Sequence, residues 1–205
     1  MMNVLIIDTV HPILIEKLEE MGVQVDYVPH IKKEEAIRSL PEYEGLIIRS
    51  KCKLTADILS KAKKLRFIGR VGAGMENIHT EFAQKKGIIC LNSPEGNRDA
   101  VGEQALGMLL SLLNHLNQAD LEVRQGIWNR EENRGSELSN LTVGIIGFGN
   151  MGSAFAEKLK GMGCRIVAYD KYKFGFSNET VSEVTLEQLF EDADVVSLHI
   201  PLTKE

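Results

Sequence analysis

The chain has 205 residues, 43% of them hydrophobic, and a formal net charge of −5. That length suffices for one large domain or two small ones, and the mild acidic excess gives no electrostatic ground for a nucleic-acid or anionic-membrane partner. No apolar run approaches a membrane span, and Met1–Leu5 lacks the basic end, apolar stretch and cleavage site of a signal peptide, so a cytoplasmic protein is expected.

Short apolar runs alternate with amphipathic segments from the start. Val4–Ile7 reads as a buried strand, Pro12–Met21 as a helix and Val23–Val28 as a second strand. Gly45–Ser50 is a third strand, a helix begins at Thr55, and Leu65–Val71 is a fourth strand. His79–Lys86 reads as a helix closed by Gly87, and Ile88–Leu91 as a fifth strand. Apolar strands alternating with helices predict a parallel sheet covered on both faces.

The rhythm changes after Pro94, which places a domain boundary near Asn97. Asp99–Leu116 reads as one long helix, apolar nearly all round, the signature of burial between domains or subunits. A polar helix follows to about Gly126, and Arg130–Asn140 reads as a surface loop before a new strand–helix series begins at Leu141. Cys52, Cys90 and Cys164 are odd in number, far apart and without a CxxC pair, so neither a disulfide framework nor a zinc site is predicted. The five histidines are scattered with no HxxxH or HExxH spacing, so no metal is expected.

The most informative stretch is Val143–Asp170. A strand, Leu141–Ile146, runs into Gly147-Phe148-Gly149-Asn150-Met151-Gly152. A helix follows to Met162, with Met151, Phe155, Leu159 and Met162 along one face. Arg165–Tyr169 is the next strand, ended by Asp170. Gly147 permits a tight turn, Gly149 lets a pyrophosphate approach the backbone, and Gly152 lets helix and strand pack closely. The N–H groups near Asn150 and Met151 favour phosphate charge. Asp170 suits the ribose hydroxyls and repels a 2′-phosphate, which argues for NAD over NADP, although Lys171 beside it is a cation that can tolerate a phosphate. A lone GxGxxG is weak, but strand, turn, helix and terminal acid together are specific.

In the first half, Arg49 and Arg70 stand at the carboxyl ends of two predicted strands, where ligands of open α/β sheets bind. Arginine grips carboxylate or phosphate through paired hydrogen bonds. Gly72-Ala73-Gly74 follows Arg70 and offers backbone N–H groups as an anion cradle. Each arginine alone is more often a solvated surface charge; together with the cradle they point to an anionic substrate.

Arg49-Ser50, Gly69–Ile78, Asn92–Asn97, Gly126-Ile127-Trp128, the Gly147–Gly152 turn, Tyr169-Asp170 and His199-Ile200-Pro201-Leu202-Thr203 occur in one order. This series resembles the D-2-hydroxyacid dehydrogenases, above all their phosphoglycerate-oxidising members. The resemblance implies a flavodoxin-like N-terminal substrate domain over residues 1–97 and an NAD-binding Rossmann domain, incomplete, over 98–205. It implies that Arg49, Ser50 and Arg70 hold a phosphate and that the backbone of Gly72, Ala73 and Gly74 holds the substrate carboxylate, with Asn97 near the cleft. Gly147, Gly149, Asn150, Met151, Gly152 and Asp170 would bind NAD, with Ala73, His199, Ile200 and Pro201 on the nicotinamide side. Ala73 is smaller than the residue usual in that family, and Met75-Glu76 replaces the more usual Val-Asp with no evident chemical consequence.

The implied activity is NAD-dependent oxidation of D-3-phosphoglycerate to 3-phosphohydroxypyruvate in serine synthesis, by a homodimer with Asp99–Leu116 and Gly126–Trp128 at its interface. Packing of that helix between the domains alone is the competing reading. Other acids of the same class, hydroxypyruvate or glyoxylate, are the alternative substrates, and a non-enzymatic NAD-sensing protein is a third reading. In this family the arginine, acid and histidine that perform the chemistry lie beyond the H-x-P-L-T segment. The chain is therefore expected to be truncated at its C-terminus and inactive as it stands, with no catalytic residue of its own, and His199 is read as structural.

Overall fold

The structure, a computed structural model, describes residues 1–201; Leu202 and Thr203 of the last motif lie outside the described residues. The chain divides into two compact units, Met1–Asn97 and Arg98–Glu205.

The first unit alternates β1 (Asn3–Ile6), α1 (Pro12–Glu20), β2 (Gln24–Tyr27), α2 (Lys33–Ser39), β3 (Gly45–Ile48), α3 (Ala56–Lys61), β4 (Phe67–Arg70), α4 (Thr80–Lys85) and β5 (Ile89–Asn92). Its strands lie in the order β2-β1-β3-β4-β5, all parallel, the order of flavodoxin-type doubly wound sheets. The apolar strand runs have a direct cause: successive side chains leave the sheet on opposite faces, and both faces are covered. Leu5, Leu46, Ile48 and Ile68 pack with Leu40, Leu59 and Ala83 on one side. Val4, Ile6 and Ile47 pack with Leu14 and Leu18 on the other.

Helix starts follow the capping chemistry. The His11 side chain accepts from the Ile13 N–H ahead of Pro12, and His79 accepts from the Phe82 N–H. Gly87, at φ +73°, follows α4 in the left-handed conformation. α2 was not among the sequence-based expectations: its seven residues bury only Ala36, too little for an amphipathic signal.

The second unit contains α5 (Arg98–Leu113), α6 (Leu116–Arg124), β6 (Thr142–Ile146), α7 (Asn150–Leu159), β7 (Arg165–Tyr169), β8 (Val181–Glu183), α8 (Leu186–Asp192) and β9 (Val195–Leu198). Its sheet runs β8-β7-β6-β9, again parallel, which is order 3-2-1-4 within the unit, the first half of a Rossmann sheet and the first strand of the second. On α7, Gly152, Phe155, Ala156 and Leu159 form the buried stripe at i, i+3, i+4 and i+7.

The long helix departs from the sequence expectation in two ways. It ends at Leu113 rather than Leu116, because His115 takes the left-handed conformation at φ +50° and α6 starts anew. Apolar residues continue across the break, so the pattern alone conceals it. Nor is α5 buried all round: only Gly102 and Leu109 are buried, while Met108 is 66% and Leu112 70% exposed. At Gly102 the backbone of Ala154 in α7 lies within contact of where a Cβ would stand. None of the described helices is long and apolar enough to cross a membrane.

Candidate functional site

The glycine turn joins β6 to α7. Gly147 is at φ +92°, a conformation costly for any side chain, and a Cβ there would stand 2.5 Å from the His199 carbonyl oxygen and 2.7 Å from Ile200 Cγ2. The turn is thus wedged against the segment after β9, which brings His199 and Ile200 to it. A Cβ on Gly152 would overlap the carbonyl oxygen of Gly147, so the close approach of helix to turn requires glycine. At Gly149 the space that a Cβ would fill is open, and no side chain caps α7 there. An uncapped helix start beside open space leaves backbone N–H groups for an anion.

Asp170 closes the other side. Its Oδ2 accepts from the Phe148 N–H at 2.7 Å, and its Oδ1 accepts from the N–H groups of Tyr172 and Lys173 at 2.9 and 3.0 Å. Partial burial pushes its carboxyl up, but the three backbone donors and the nearby Lys173 charge outweigh it and hold the group below its ordinary value. A carboxylate accepts about four hydrogen bonds, so one position remains for a ribose hydroxyl. Open space at Gly149, the helix start and an ionised Asp170 are the donors and acceptor that a dinucleotide needs.

His199 is half-buried. Its Nε2 lies 3.0 Å from Ser197 Oγ, its ring is tilted 5.4 Å from Phe155, and burial lowers its pKa from 6.5. A cavity of about 1020 Å³ along α5 and β9 takes in His199 and Phe155 but none of the glycine-turn residues. Pro201 is exposed at the end of the described residues.

The first unit gathers a second set of groups. β3 and β4 are neighbours with Ile48 opposite Arg70, so Arg49, one residue past Ile48, and Arg70 both stand at the carboxyl end of this sheet. Arg49 and Ser50 are exposed. The Arg70 guanidinium folds over Gly72, which sits at φ +147°, and its Nε is buried without a hydrogen-bond partner. Ala73 presents its carbonyl to Asn92 Nδ2 at 2.6 Å. Asn97, ending a 3-10 turn, is exposed.

Two residues that hold this edge were given no role by the sequence reading. Asp8 Oδ2 accepts from the Arg49 N–H at 2.6 Å. Asn77 Nδ2 donates to the carbonyls of Arg49 and Cys52 at 3.0 and 3.3 Å. Glu76 sets its carboxylate against Gly74, where a Cβ would overlap it; since Val-Asp and Met75-Glu76 both end on an acid, the charge beside the cradle is the same. Asp8 was discoverable by the rule that found the arginines, since it follows the first strand at the same edge.

Fold and turn together define an NAD-binding domain of the doubly wound kind. Residues 106–205 match the D-isomer specific 2-hydroxyacid dehydrogenase, NAD binding domain, so the second unit carries an NAD-binding domain of that family. It is 37% identical over 191 residues to the hydroxypyruvate reductase of Thermotoga maritima, covering 93% of this chain and 61% of that protein. It is 36% identical over 210 residues to the D-3-phosphoglycerate dehydrogenase of Synechocystis, covering 100% and 37%. A D-lactate dehydrogenase structure from Treponema pallidum matches with a TM-score of 0.78 at 28% identity, over 99% of this chain and 63% of that one. The chain thus spans 37–61% of the length of these curated relatives.

Proposed function

We propose that the chain is the acid- and nucleotide-binding part of an enzyme that oxidises D-3-phosphoglycerate to 3-phosphohydroxypyruvate with NAD, inactive by itself, the first unit holding the acid and the second the nucleotide. Arg49 and Arg70, both at the carboxyl end of the first sheet, with the Arg70 guanidinium against Gly72, carry this reading. In it the two guanidinium groups and Ser50 take the phosphate, and the Gly72–Gly74 backbone takes the carboxylate. Gly147–Gly152 and Asp170 hold the adenosine half of the cofactor, which supplies the hydride acceptor when bound. His199 lines the nicotinamide side without moving a proton, since its Nε2 is engaged with Ser197 and burial favours its neutral form.

The test is calorimetric titration of the chain and of its Arg49→Ala/Arg70→Ala variant with D-3-phosphoglycerate and with D-glycerate. The reading predicts that the double variant loses about 10- to 100-fold for the phosphorylated acid and far less for glycerate. Equal losses would remove the phosphate assignment. Hydroxypyruvate or another unphosphorylated acid is the second reading, supported by the 37% identity to a hydroxypyruvate reductase. It predicts that the wild-type chain binds D-glycerate as tightly as its phosphate ester.

Self-association through α5, α6 and Gly126–Trp128 belongs to the same proposal. Met108, Leu112, Leu116, Leu121 and Trp128 are exposed there, with Trp128 at 80%, an apolar surface suited to a second copy.

A further inference from the structure

Phe148 is the side-chain-bearing residue between the glycines at 147 and 149, and one short segment holds every part of it. Asp170 takes its N–H at 2.7 Å. Lys173 Nζ donates to its carbonyl at 3.2 Å. Its ring stacks on Phe176 with centroids 4.5 Å apart and planes 21° apart, and the Lys173 ammonium lies 5.3 and 5.9 Å from the two ring centroids. The Phe176 N–H is in turn held by Glu183 Oε2 at 2.9 Å, tying the segment to β8.

The Phe148 carbonyl and the Gly149 N–H belong to one planar trans peptide group and point in opposite directions. Whatever holds the carbonyl therefore fixes where the Gly149 N–H points. Gly149 has no side chain to restrain it and open space around it. We propose that Lys173 is a positioning residue for the dinucleotide: by gripping the Phe148 carbonyl and spanning both phenyl rings, it fixes the peptide that meets the pyrophosphate. Its positive charge also stands beside Asp170, so one lysine serves both the phosphate turn and the ribose acceptor. The inference rests on the NAD-binding reading of the turn.

The test compares the wild-type chain with Lys173→Met, which keeps length and apolar contact but loses donor and charge, and with Lys173→Arg, which keeps both. Calorimetry with ADP-ribose and with AMP separates a probe that carries the pyrophosphate from one that does not. Amide hydrogen exchange at Gly149, without ligand, reads the peptide itself. Lys173→Met is expected to weaken ADP-ribose about fivefold and AMP less than about twofold, and to speed Gly149 exchange about fivefold, with Lys173→Arg restoring each. Because Lys173 lies on an exposed loop, the thermal midpoint should stay near wild type. Unchanged ADP-ribose binding and exchange in Lys173→Met would overturn the proposal, as would equal losses for ADP-ribose and AMP. A wild-type chain that binds neither probe would overturn the cofactor reading instead, and Gly149 exchange would still decide whether Lys173 holds the turn.

Discussion

The two units present their candidate sites in opposite ways. In the second, ligand-facing groups are backbone, and their geometry is set by Gly147 and Gly152, where a Cβ would clash, and by a carboxylate already holding three N–H groups. In the first, they are two long arginine side chains, Arg49 exposed and Arg70 part-buried over Gly72, and the backbone at Arg49 is pinned by Asp8 and Asn77. A preformed backbone cradle suits a cofactor common to many reactions, whereas side chains at the end of a sheet suit the part of a family that changes substrate.

The contrast predicts unequal sensitivity to small changes. Gly152→Ala should have the largest effect, since its methyl group would overlap the Gly147 carbonyl. A loss of about 1–3 kcal/mol in chemical denaturation, together with loss of measurable ADP-ribose binding, is expected. Near-wild-type values for both would show that the turn can shift.

Asn77→Ala strikes the other unit. It leaves the Arg49 and Cys52 carbonyls without their side-chain donor. D-3-phosphoglycerate binding should weaken about three- to tenfold with ADP-ribose binding unchanged. Loss of both ligands would mean that the two sites are not independent.

The smallest effect concerns pH. Burial lowers the His199 pKa from 6.5, so below that value the unfolded chain binds more protons than the folded one. Stability is then full above pH 6.5 and declines as pH falls through the lowered folded value. His199→Asn should flatten that decline, read from denaturation midpoints across the range. Asp170, lowered from 3.8, contributes its own loss only below that pH, so the decline from His199 begins first as pH falls.

The glycine turn and Asp170 were readable because backbone geometry demands particular residue types at fixed spacings. The alternation that gave both parallel sheets was readable for a similar reason: strands covered on both faces must be apolar throughout. What stayed hidden acts across distance. Asp8 meets Arg49 at a separation of 41 residues, Asn77 meets it at 28, and Lys173 meets Phe148 at 25. No local pattern marks such pairs. β8 and α8 were also passed over, although Thr185 and Gln188 form a complete capping box. The break at His115 was concealed by leucines on both sides of it, since hydrophobic periodicity reports burial rather than backbone dihedrals.

The central claim is that the Gly147–Asp170 unit holds NAD, with Asp170 as the discriminating group. Fluorescence titration of the chain with NADH and NADPH tests it most directly. An ionised Asp170 predicts NADH binding at least about tenfold tighter than NADPH. Equal or tighter binding of NADPH would contradict it.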